Sequence, residues 1–98
     1  DAAAKLDSTD AISRGYASYI VMLTREYGAA LERAQDAVAA DSQEPTALFF
    51  RGLILYSIPA NNPAYVPNAK TLANADFDKV LELAPNSEFA SQIKEIRK

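Results

Sequence analysis

Apolar positions recur along most of this chain at three- and four-residue intervals, the period of an amphipathic helix. Ile12, Tyr16, Tyr19, Ile20, Leu23 and Tyr27 fit one face of a first helix. Ser8, Thr9 and Asp10 stand ready to cap it, and it is predicted to run to about Glu26. Gly15 interrupts it and is expected to mark a close approach by another helix. The Ala-rich residues 1–7 read as a fraying turn or a short extra helix.

Tyr27-Gly28 is the predicted turn, with Gly28 as the left-handed residue after a helix end. A second helix then spans 29–40. Ala30, Leu31, Ala34, Ala37 and Val38 lie inward; Glu32, Arg33, Gln35 and Asp36 lie outward. The polar link 41–45 is short enough to make its flanking helices antiparallel neighbours. Pro45 suits the first turn of the third helix, 46–57.

That third helix is apolar almost all round. Leu48, Phe49, Phe50, Leu53, Ile54, Leu55, Tyr56 and Ile58 are broken only by Arg51 and Gly52, so the helix is expected to be covered on several sides. A strand over 53–58 has no evident partner. Pro59, Pro63 and Pro67, with Asn61 and Asn62, then impose a loop over 58–67. Its Tyr65 and Val66 either pin it down or meet a partner. Asn68 is expected to cap a fourth helix reaching Ala84, with Ala73, Phe77 and Val80 inward. Ser87 opens a fifth helix over 88–98. Phe89, Ile93 and Ile96 face the core, Gln92 faces out, and the helix reads as a terminal cap. The basic Lys94, Arg97 and Lys98 near its end suit the helix dipole.

The prediction is therefore an all-α domain of about five helices in antiparallel hairpins. At 98 residues, one domain with a modest core is expected. The net charge of −3, with ten scattered basic residues, argues against a nucleic-acid surface. With neither Cys nor His, thiolate and imidazole chemistry, disulfides and their metal sites are excluded. No apolar run approaches the roughly 20 residues that span a bilayer. The start at Asp1 suggests a processed protein or a domain excised from a longer, membrane-anchored or extracytoplasmic one.

Leu48, Gly52, Leu55, Ala73, Phe77, Val80 and Pro85 occur in an order that resembles the tetratricopeptide repeat. Residues 78–87 (DKVLELAPNS) are very similar to the usual repeat end. Leu stands for two aromatics of the motif, and Val80 for an Ala. The separation of Gly52 and Pro85 exceeds the family's by about nine residues, which reads as an insertion of the 58–67 loop. Tyr27, Ala30, Ala37 and Asp41 resemble a degenerate first repeat. The resemblance implies a repeat over about 10–44, a second with the loop over 45–87, and a capping helix over 88–98. The stretch 77–98 is also similar to the repeat domains of cytochrome c maturation factors of bacterial membranes.

The resemblance further implies a superhelix that binds peptides along a surface made by its first helices. By position, that surface would contain Phe49, Leu53 and Tyr56. Some members grip a C-terminal carboxylate there with Lys, Asn and Arg; Phe49 and Leu53 argue against that mode and for an apolar groove. The competing reading is core packing of the same side chains, toward which residue type alone leans. Tyr16, Tyr19 and Tyr65 complete the candidate partner site, with the same core alternative. The expected function is a protein–protein interaction module. The alternative is a structural or assembly domain of a larger membrane-associated or secreted protein, with self-association through the apolar first helices. No cofactor, small-molecule substrate or catalytic residue is expected. Glu32 with Asp36, and Asp76 with Asp78, are the best carboxylate pairs, and neither comes with a nucleophile or a convergent base.

Overall fold

A computed structural model describes residues 8–97; the expectations for residues 1–7 and Lys98 lie outside them. The described chain is all-helical, in the order α1 (Ser8–Leu23), α2 (Tyr27–Ala40), α3 (Pro45–Ser57), α4 (Ala69–Leu83) and α5 (Glu88–Ile96). The helices pack as successive hairpins. α3 is the hub: it touches α1, α2, α4 and α5, which accounts for its nearly continuous apolar surface.

Local chemistry fixes several boundaries. Pro45 opens α3, and the Glu44 carboxylate accepts a hydrogen bond from the Thr46 N–H. The Ser87 hydroxyl accepts one from the Ala90 N–H at the start of α5. Other boundaries differ from expectation. α1 ends at Leu23, and the left-handed residue is Arg25 (φ 67°), not Gly28. In the closing turn the Val21 carbonyl accepts from both the backbone N–H and the hydroxyl of Thr24. Gly28 lies within the first turn of α2, facing Ala64 of the loop. Asn68 precedes α4 without a side-chain cap; the Ala69 N–H bonds the Val66 carbonyl instead.

The packing of α1 also departs from the periodic reading. Its buried residues are the small Ala11, Gly15 and Ser18. The large Ile12, Tyr16, Ile20 and Leu23 are left 36–62% exposed. Gly15 shows why: a methyl group there would lie 3.3 Å from a Phe50 ring carbon and 3.5 Å from the Ala47 Cα. Close approach to α3 selects small residues inward and turns the bulky ones aside.

The main core joins α3 to α4 and α5 through Leu48, Phe49, Phe50, Leu55, Phe77, Val80 and Ile93. Gly52 admits Phe77 so closely that a Cβ would stand 2.7 Å from its ring. Beside it, Arg51 on α3 makes two hydrogen bonds to the Asp76 carboxylate on α4, at 2.8 and 2.7 Å. Asp76 is buried. A satellite cluster of Ala30, Ala34, Ile54 and Ile58 fastens α2 to α3. Tyr65 packs against both clusters and Val66 against the first, so the long loop is pinned to the body of the fold. Asn62 closes it locally, its side-chain oxygen accepting from the Ala64 N–H. Among the described residues no helix is long and apolar enough to cross a membrane.

Candidate binding groove

Hairpin packing places alternate helices on one side of the molecule. α1, α3 and α5 border a groove of about 650 Å³. Ile12, Tyr16 and Tyr19 form its α1 wall; Thr46, Phe49, Phe50 and Leu53 form its floor; Glu88, Phe89 and Gln92 form its α5 wall. It continues into a shallower lobe of about 460 Å³, bounded by Tyr19, Leu53, Gln92, Glu95 and Ile96.

The floor is a chain of aromatic contacts. Tyr16 and Tyr19 lie 4.9 and 5.3 Å from Phe50, ring centre to ring centre. Phe50 meets Phe49 edge-on at 5.3 Å, and Phe49 stacks on Phe89 at 4.8 Å. Such pairs add about 0.5–1.5 kcal/mol each beyond the area they bury. They make the floor rigid, because moving one ring disturbs the next.

Four of the six site candidates therefore line one groove: Tyr16, Tyr19, Phe49 and Leu53. They differ in depth. Phe49 is only 2% exposed and serves as core and floor together, whereas Tyr16 is 49% exposed. Tyr19 and Leu53 are half-buried. Tyr56 and Tyr65 lie elsewhere. Tyr56 packs 6.0 Å from the Phe77 ring, with the Lys70 ammonium 4.2 Å above its own ring. Tyr65 belongs to the pinned loop.

The α5 wall escaped the sequence reading, which made α5 a cap; Gln92 is exposed, as expected, but on the side that borders the groove. The available signal was the alternation itself. In a row of hairpins the first, third and fifth helices share a side, so α5 borders the same groove as α1 and α3.

The candidate acid pairs do not converge. Asp76 is held by Arg51, while Asp78 meets Arg97 at 3.0 Å. That hydrogen bond from Arg51 to Asp76 raises the guanidinium pKa above its usual value, against the opposing effect of burial. Glu32 and Asp36 are exposed. Among the described residues no three His, Cys, Asp or Glu side chains are grouped to hold a metal ion. The chain matches no family model, no curated protein and no solved structure in the comparisons made.

Proposed function

We propose that this chain is a protein–protein interaction module of tetratricopeptide type, binding a peptide or partner surface in the groove between α1, α3 and α5. The observation that carries this reading is the groove itself. Its apolar floor is built by helices that the repeat resemblance assigns to peptide binding, and Tyr16, Tyr19, Phe49 and Leu53 meet there. Aromatic anchors over a fixed floor suit recognition of an apolar segment. The two repeats and terminal helix of the resemblance correspond to α1–α2, α3–α4 and α5 in this proposal. Asp76 and Asp78 are each tied to an arginine, which suits a binding role better than a catalytic one.

Affinity capture from a source-cell lysate, with the domain and its Leu53→Glu variant as baits, tests the proposal. Leu53 is the position to change, because truncating Phe49 would also open the core. A partner held by the unmodified chain and lost by a variant of unchanged helicity supports the groove. A partner held equally by both rules the groove out as its site.

A second reading rests on α1. Ile12, Tyr16, Ile20 and Leu23 form an exposed apolar stripe along it. Such a stripe suits a structural domain that assembles with copies of itself or with the rest of a larger membrane-associated or secreted protein. Mass in solution that rises with concentration supports this reading; a monomer at high concentration counts against self-association.

A further inference from the structure

A second opening lies about half a turn round α3 from the groove. There α2 and α4 both pack on α3 but make no close approach to each other. Between them is a pocket of about 280 Å³ with apolar walls of Leu31, Leu55, Val66 and Leu72. Gln35 on α2 and the Arg51–Asp76 pair are its polar side chains. Asp76, its side chain only 7% exposed, takes the Nε–H of Arg51 and one N–H of Nη2. That side-on pairing leaves the end of the guanidinium, Nη1 and the second N–H of Nη2, without a hydrogen bond among the described residues.

We infer that this pocket binds an uncharged apolar amide. The amide carbonyl accepts from the free end of Arg51, its N–H donates to the Gln35 side-chain carbonyl, and its aliphatic body lies against Leu55 and Leu72. The Arg51 side chain is 29% exposed, so its free N–H groups face solvent in the empty pocket. A pure hydrocarbon would strip them of water and return no hydrogen bond. A carboxylate would supply acceptors but add an unbalanced negative charge beside the buried Asp76, which already neutralises Arg51. A cation would meet the guanidinium itself. An amide supplies the acceptor without a charge, and its N–H matches the acceptor of Gln35.

The volume falls just below the roughly 300–1,000 Å³ of drug-sized sites, which suits a single aliphatic residue with its flanking amides. The same chemistry has two sources, a free small amide or one apolar residue of a peptide chain. Either would bind apart from the groove, since no residue of this pocket lines it.

Titration of the whole isotope-labelled chain, followed by NMR, provides the test. The probe is N-acetyl-leucinamide, a leucine side chain between two amides. N-acetyl-leucine carries a carboxylate at one end instead, and N-acetyl-glycinamide lacks the side chain. The probe is expected to shift the signals of Gln35, Leu55, Leu72 and the Arg51 Nε–H with a millimolar Kd, as suits a ligand of about 12 heavy atoms. N-acetyl-leucine should bind at least about fivefold more weakly, and N-acetyl-glycinamide should leave the signals in place. Leu72 is 41% exposed, so Leu72→Glu should abolish the shifts with helicity unchanged. Gln35→Ala, at an exposed position, should weaken binding about threefold. Leu53→Glu, in the groove, should not alter it. A capped tripeptide centred on leucine separates the sources: binding at least as tight as the probe's assigns the pocket to a peptide residue, weaker binding to a free amide. Pocket signals unmoved at about 20 mM probe, where a millimolar site is nearly full, overturn the inference. So do equal binding of N-acetyl-leucine, undiminished binding by Leu72→Glu or Gln35→Ala, and loss of binding in Leu53→Glu.

Discussion

The two flanks of α3 use similar residue types to opposite ends. Toward α4, Gly52 admits Phe77 to near-contact and Arg51 grips a buried Asp76, so the flank is closed by shape and by charge. Toward α1 and α5, Phe50 and Leu53 support a groove that nothing in the described chain fills. Apolarity alone does not separate these flanks. Both flanks have a close approach to α3, by α4 at Gly52 and by α1 at Gly15; the second stays open because α5 meets α3 only sparsely and the bulky Tyr16 and Tyr19 stand along its edge.

This contrast is sharpest in truncation. Phe77 has no exposed surface, so Phe77→Ala should cost about 3–5 kcal/mol. A urea unfolding curve measures this, and a cost below about 1 kcal/mol would mean that the closed flank is loosely packed. Asp76→Asn comes next. It leaves Arg51 without its carboxylate, but the Arg51 side chain is 29% exposed and can recover water. The expected loss is therefore about 1–3 kcal/mol, below that of a fully buried broken pair.

Gly52→Ala should cost about 1–2 kcal/mol in the same assay. Overpacking against Phe77 outweighs the roughly 1 kcal/mol gained in helix propensity. An increase in stability would show that Phe77 has room to move. Tyr16→Ala, on the open flank, should cost less than about 1 kcal/mol, since the ring is half exposed and its main loss is the contact with Phe50. A cost equal to that of Phe77→Ala would erase the distinction between the flanks.

Much of the architecture was legible in the sequence because local chemistry and periodicity agreed. Pro45 at the start of α3, Ser87 capping α5 and the proline-bounded loop are short-range signals, and all-round apolarity identified α3 as the helix covered on most sides. The failures lie where tertiary packing decides. Gly28 was expected to terminate α1, yet Arg25 takes the left-handed conformation. The periodic pattern of α1 pointed its bulky side chains inward, but the approach to α3 at Gly15 required Ala11, Gly15 and Ser18 there instead. A hydrophobicity pattern records which residues are apolar, not how near a neighbour comes.

The candidate site divides in the same way. Tyr16, Tyr19, Phe49 and Leu53 could be singled out by residue type and repeat position. Their depths could not, and Phe49 proves to be floor rather than rim. Repeat position adds Tyr56 to the site and residue type adds Tyr65, although their neighbours, Phe77 and Lys70 for one and the two core clusters for the other, draw them away. Glu88, Phe89 and Gln92 were missed because a last helix reads as a cover until the order of hairpins is known.

The most direct test of the groove is the affinity of a library-selected peptide for the unmodified chain and for Leu53→Glu, with thermal unfolding followed on the same samples. The account predicts that binding falls at least tenfold, while the unfolding midpoint drops by no more than about 10 °C, as expected for a half-buried position. Undiminished binding by a folded variant would contradict it. So would collapse of the helical fold, which would make Leu53 a core residue rather than part of a binding surface.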